Sequence, residues 1–231
     1  MSTQSRVVDS KKLKVNLGCG KNIKPGWINV DSWKRANLDL VCDLSKDFPF
    51  QEGTCSFIYS EHFIEHLDWL DGYELLGKCY SALEENGTFR IVFPDFKKLF
   101  KAYIDGDESF LNRYSDGLNT KDLVYYRGLL DNPGKIKSER KENPPPAWHL
   151  SRDESDRRNV RRRAREYKYP IEIIDWAVHQ YGEHKTVYDS TLMKSLLVGL
   201  GFTHVYDSSY DKEIDSPAYF TEGCCYIEAI K

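Results

Sequence analysis

The chain has 231 residues, of which 40% are apolar and 13% aromatic, and its net charge is −3. Those values fit one folded domain of ordinary size and exclude a disordered segment or a general polyanion binder. No run of about 18 apolar residues occurs, and the leading MSTQSRVVDSKK lacks a hydrophobic signal core, so a cytoplasmic protein without membrane contact is expected.

Short apolar runs mark the first hundred residues. Candidate strands lie at Leu13–Leu17, Trp27–Val30, Leu40–Cys42, Ser56–Ser60 and Thr88–Phe93. They are continuous, as buried strands of a parallel sheet are, and do not alternate. The spacing of Tyr73, Leu76, Tyr80 and Leu83 predicts a helix over residues 70–83, with Gly87 placed to stop it. A further helix is expected over 96–104. Residues 106–169 are polar, with three prolines at 144–146 that forbid regular structure. Order resumes at Pro170 with the helical IEIIDWAVHQY. Asp189 is placed to cap a helix over 190–200 that ends at Gly201, and strands follow at 203–206 and 224–230. The α/β alternation predicts one domain over 1–231, with an acceptor-binding or lid insertion over 96–180. Cysteines 19, 42, 55, 79, 224 and 225 show neither C-x-x-C nor metal spacing, so free thiols and no metal are expected.

The segment VNLGCGKNIKPGWINVD, residues 15–31, carries the first functional signal. It has the Gly-x-Gly of a nucleotide-binding loop at Gly18 and Gly20. The third glycine of the dinucleotide fingerprint is missing, Ile23 standing in its place, and only six residues separate Gly20 from Trp27, too few for a crossover helix. A pyrophosphate needs that helix N-terminus, so a nicotinamide dinucleotide is disfavoured. An adenosine ligand without phosphate does not need it.

Polar residues then follow the strands in order: the glycine loop, Asp31, Asp43, Ser60-Glu61-His62, and Pro94-Asp95. Open α/β sheets bind ligands at that carboxyl edge. Asp31 is suited to accept from ribose hydroxyls and Asp43 from an adenine amine. Taken singly, the glycines also read as a turn and the two aspartates as helix caps.

Together, VNLGCG…GWINVD, DLSKDFPFQEGTCSFIYSEHFIEHL, GTFRIVFPD, EHKTVYD…LLVGLGF and CCYIEAIK resemble class I S-adenosylmethionine-dependent methyltransferases. Within them, they resemble a small bacterial group associated with sugar and cell-surface polysaccharide modification. The resemblance covers about 13–95 and 182–231. It implies a Rossmann-like, mostly parallel seven-stranded sheet with an antiparallel last strand, here with a short or missing first crossover helix. It implies S-adenosyl-L-methionine as cofactor, with Asn16, Leu17, Gly18, Gly20, Asp31, Asp43, Leu44, Ser60, Glu61 and His62 forming the pocket. Transfer to a hydroxyl also needs a general base, for which His62, His66, Asp95 and His184 are candidates; His66 also reads as a loop-orienting residue, and Asp95 and His184 as substrate-positioning ones.

The acceptor expected is a sugar, glycan or other small hydroxylated, phosphorylated or acidic molecule. No D/N-P-P-Y/F motif follows strand four, where SEHF stands, and no C-P pair exists, which disfavours base-modifying enzymes. Residues 135–168 hold 12 Lys/Arg against 6 Asp/Glu. Arg158, Arg161, Arg162 and Arg165 share one helical face if the segment is helical, suited to phosphate or carboxylate. The plain alternative is a solvated helix pairing with Asp153, Glu154 and Asp156. RNA as acceptor, and a non-catalytic adenosine-binding module, stand as further readings.

Overall fold

The structure is a computed structural model, and it describes residues 12–117, 170–217 and 221–231. The arginines at 158, 161, 162 and 165 lie outside the described residues. The described part divides into two compact units, one of 12–98, 178–217 and 221–231, the other of 99–117 and 170–177.

The first unit is built on one seven-stranded sheet. Its strands are β1 Leu13–Leu17, β2 Ile28–Asp31, β3 Leu40–Val41, β4 Cys55–Glu61, β5 Leu83–Pro94, β6 His204–Asp207 and β7 Cys224–Ile230. They lie in the order β3-β2-β1-β4-β5-β7-β6. Six run parallel and β7 runs antiparallel between β5 and β6. This is a Rossmann-like sheet with its last strand reversed, as the sequence resemblance implied. Expected and observed strands agree within a residue or two, except that β5 begins at Leu83. Register slips between Cys55 and Phe57 accommodate that early start. Gly87 therefore sits inside β5 and stops no helix; a side chain there would meet the Glu84 carbonyl at 2.8 Å.

Helix α1, Trp69–Ala82, is capped by Asp68, whose carboxylate accepts from the Asp71 amide at 3.1 Å. Its buried stripe is Leu75, Leu76, Cys79 and Ala82, whereas Tyr73 is 43% exposed. The buried face is thus rotated from the one the aromatic spacing suggested, because a tyrosine on a helix can leave its ring at the surface. Helices α2 Phe96–Asp105, α3 Glu108–Gly117 and α4 Pro170–His179 come next. Helix α5, Ser190–Gly199, begins at Asp189, which accepts from the Leu192 amide at 2.7 Å.

The two faces of the sheet are covered differently. On one, α1 and α5 bury Leu75, Leu76, Met193 and Leu197 against Val15, Leu17, Ile58 and Ile91. On the other, among the described residues, Trp27 and Ile214 from loops and Phe57 of β4 itself pack on Tyr59, Val92 and Tyr226. Into that thinner face β5 projects Arg90, only 1% exposed. Its Nε donates to Asp215 Oδ1 at 2.9 Å and its Nη2 to Asp215 Oδ2 and the Ser209 carbonyl. Its Nη1 donates to Glu228 Oε1 at 2.5 Å and to Ser208 Oγ at 3.0 Å. All three nitrogens are satisfied, which a buried guanidinium requires.

Removing Asp215 would leave that charge buried and unmatched. We expect Asp215→Ala to cost about 3–5 kcal/mol in urea denaturation. Tyr206→Phe, which deletes an exposed bond to the same Glu228, should cost about 1 kcal/mol or less. Similar costs for the two would contradict the central role given to Arg90.

Candidate functional site

No helix joins β1 to β2; residues 18–27 form a loop held by amides. Asn16, buried on β1, donates through Nδ2 to the Asn22 carbonyl at 2.7 Å and to Asn29 Oδ1 at 3.0 Å. Asn29 Oδ1 also accepts from the Lys24 amide at 2.8 Å, and its Nδ2 donates to the Lys24 and Trp27 carbonyls and to Asp39 Oδ2. The Asn29 backbone amide donates to the same Asp39 oxygen, and these bonds hold the Asp39 carboxyl below its ordinary value. The side chain of Asn16 is thus engaged by the loop itself. Leu17 and Leu44 place their side chains in the core.

The two loop glycines differ. Both have positive φ, +60° at Gly18 and +51° at Gly20. A Cβ on Gly18 would lie 2.2 Å from Phe63 Cγ, so the Phe63 ring covers that face. Nothing stands within 4 Å of a Cβ on Gly20, so open space adjoins it. No motif in the sequence marks Phe63, an aromatic ring that meets a glycine 45 residues away.

Asp31 ends β2 with both oxygens in use: Oδ2 accepts from the Gly20 amide at 2.8 Å and Oδ1 from the Trp33 amide at 2.9 Å. A carboxylate has about four acceptor positions, so room for two hydroxyl donors remains. Asp43 is exposed and caps its own turn. It accepts from Ser45 Oγ and Lys46 Nζ, each at 2.6 Å, and those bonds draw its carboxyl down to about 2.

Beyond β4 the chain turns sharply, with His62 at φ +49°, a conformation rare outside glycine. Ser60 is buried. Glu61 ties two loops to the strand end, accepting from Asn22 Nδ2 at 2.9 Å and the Ser216 amide at 3.0 Å. His62 stands between Glu65 Oε1, 3.2 Å from Nδ1, and Cys224 Sγ, 3.3 Å from Nε2. Burial opposes a charge on His62, but its bonds to Cys224 and Glu65 outweigh burial and raise it above the usual imidazole range. Burial likewise would raise the Glu65 carboxyl; His62, with His66 and His184 nearby, holds it down at about 2.

The fold brings His66 and His184, 118 residues apart in sequence, to a ring separation of 5.0 Å. Phe96 lies edge-on to His184 at 6.3 Å. The short turn Ile64–His66 is clamped to the chain around His184. The Glu65 carbonyl accepts from Lys185 and Thr186 amides, Thr186 Oγ1 donates to the Leu67 carbonyl, and His66 Nδ1 donates to the Glu183 carbonyl at 3.0 Å. Asp95 caps α2 instead: its Oδ1 accepts from the Lys98 amide at 3.1 Å and its Oδ2 pairs with Lys98 Nζ at 3.3 Å.

Asp95 also borders a cleft of about 460 Å³ at the carboxyl ends of β5 and β6, lined among others by Lys98, Asp207, Tyr210, Cys225 and Tyr226. A larger depression of about 750 Å³, between Lys46–Phe50 and α1, lies away from these strand ends and gathers none of the candidate site residues. No helix among the described residues is long and apolar enough to cross a membrane.

No protein-family model matches the chain, and no curated relative matches it. Solved structures do. A SAM-dependent methyltransferase from Archaeoglobus fulgidus is 15% identical over 96% of this chain and 87% of its own, with a TM-score of 0.44. A Thermotoga maritima structure described as a SAM-dependent methyltransferase is 14% identical, over 95% and 82%, at 0.45. One from Aquifex aeolicus is 9% identical, over 95% and 81%, at 0.43.

The contrast between the glycines can be measured. Gly20→Ala should cost only its backbone strain, about 1–2 kcal/mol. Gly18→Ala should cost clearly more in the same thermal or urea melt, because it must also displace Phe63, and adding Phe63→Ala should restore part of the difference. Equal costs for the two glycines would mean that the ring does not rest on Gly18.

Proposed function

We propose that the chain is an S-adenosylmethionine-dependent methyltransferase that acts on a hydroxyl of a sugar or another small, phosphorylated or acidic acceptor. One observation carries the reading: a β1–β2 connection with no helix, ending on Asp31 at the carboxyl edge. That connection lacks the helix N-terminus that a dinucleotide pyrophosphate requires after β1, yet retains a carboxylate with acceptor capacity for a ribose.

The residues fit the adenosine half of the cofactor. Gly20 has open space where a side chain would stand, Asp31 keeps two acceptor positions, and the Asp43 carboxylate stays ionised at neutral pH. Glu61 fixes the loop at Asn22 and the segment at Ser216, so that edge is preorganised. When bound, the cofactor supplies an electrophilic methyl carbon on a sulfonium.

What the chain contributes is alignment and a place for the acceptor's proton. Asp95 is committed to capping α2 and to Lys98, so it suits acceptor positioning beside the 460 Å³ cleft. The His66–His184 pair, backed by Glu65, is the better place to hold a proton. The sugar preference rests on the sequence resemblance and on the aspartates, lysine and hydroxyl side chains among those that line this cleft.

Calorimetry tests the reading. S-adenosylmethionine and S-adenosylhomocysteine should bind and NAD should not, with Asp31→Ala at least tenfold weaker, about 1.4 kcal/mol. NAD binding without either sulfur ligand would overturn the proposal, and undiminished binding by Asp31→Ala would remove the ribose role. With a hydroxylated sugar acceptor, His184→Ala should lower kcat by about 10²–10⁴ while Asp95→Ala acts mainly on KM.

A further inference from the structure

We propose that Glu65, His66 and His184 form a binding site for a divalent transition metal ion of the zinc class. Each offers one donor atom, and the three atoms lie within 4.8 Å of one another. The site is defined by its donors alone and does not depend on the methyl-transfer reading; a bound ion takes up the imidazole lone pairs, so the His66–His184 pair holds an acceptor's proton only in the ion-free chain.

Two independent features point to a cation. The first is Glu65, which is fully buried and whose Oε2 has no hydrogen-bond partner, although its Oε1 meets His62. A buried carboxylate oxygen left unpaired costs roughly 1–3 kcal/mol or more, and such atoms call for an explanation. The second is the tautomer of His66. A backbone carbonyl only accepts, so the 3.0 Å contact with Glu183 places the proton on Nδ1 and leaves the lone pair on Nε2. Metal-bound histidines are oriented in this way, with the far ring nitrogen donating to a carbonyl.

The donor set decides the class of ion. Two imidazoles and one carboxylate suit zinc and its first-row neighbours, whereas magnesium and calcium take mainly oxygen ligands. Tetrahedral donors about 2.1 Å from zinc stand about 3.4 Å apart, so donor separations of up to 4.8 Å would close by up to about 1.4 Å on binding. The backbone clamp through Lys185 and Thr186 keeps the two chain segments together while the side chains do so. Three protein ligands leave a fourth position open to water or to an acceptor hydroxyl, as at catalytic zinc sites.

The test uses the full chain, stripped with a chelator and then titrated with Zn²⁺ against a chromophoric competitor. One equivalent should bind saturably, and Co²⁺ should give the visible absorption bands of a tetrahedral ion. Glu65→Gln, His66→Ala and His184→Ala should each weaken Zn²⁺ at least 100-fold, and His204→Ala, an exposed histidine on β6, should not. Circular dichroism reports folding; if Glu65→Gln does not fold, His66→Ala, at a half-buried position, carries the test. Absence of saturable binding by the unaltered chain, or undiminished binding by a folded His66→Ala, would overturn the site and leave a buried Glu–His charge cluster.

Discussion

A single buried guanidinium organises the face of the sheet that α1 and α5 do not cover. Arg90 sits at the centre of the sheet on the loop-covered face, joined to Asp215 and Glu228. Taking that charge out of water is costly, and its partners recover the cost only while their geometry holds. The segment that carries Asp215 is therefore fixed, and its neighbours do further work. Ser216 donates to Glu61, and Lys24 donates to the Ile214 carbonyl while lying 4.4 Å from the centre of the Tyr59 ring. From Glu61 the bonds pass to Asn22, then to Asn16 and Asn29. A charge in the sheet interior is thereby linked to the shape of the glycine loop.

This explains how a sheet of this type manages without a first crossover helix. Elsewhere a helix would both cover the sheet and fix the loop. Here Trp27, Tyr59, Ile214 and Tyr226 supply the cover, and asparagine amides hold the loop. Asn29 alone satisfies backbone groups at Lys24 and Trp27 and binds Asp39. Side-chain amides can do this because each offers two donors and an acceptor in one plane. The result is a β1–β2 connection with Asp31 and an open Gly20 but no helix N-terminus of its own.

Much of the fold was legible in the sequence because buried parallel strands write themselves as apolar runs. The apolar runs at 13–17 and 224–230 coincide with β1 and β7, and the caps at Asp189 and Gly201 follow from local chemistry. The misread features depend on what lies across space. Gly87 reads as a helix stop until Cys55 and Leu83 are paired beside it, and the face of α1 was misjudged because an exposed tyrosine looks apolar in a periodicity count. Asp31 and Asp43 could be named in order along the strands, but not the bonds they already make to Gly20, Trp33, Ser45 and Lys46. His66 and His184 were nominated separately; their meeting around Glu65 is a property of the fold. Arg90 and Asp215, 125 residues apart, carry no local signature at all.

The position of β7 bears on how the chain reaches this state. It is the last strand in sequence, yet it lies between β5 and β6, both made earlier. Until it arrives, β5 presents an open edge flanked by Phe89, Ile91 and Phe93, and Arg90 lacks Glu228, which follows 138 residues later. At synthesis rates of about 5–20 residues per second that interval is roughly 7–28 s. For that time a nascent chain exposes an unpaired apolar strand, the kind of edge on which chains associate wrongly. Arg90 stands in the middle of that strand, and a charge there keeps the edge from being uniformly sticky while β7 is awaited.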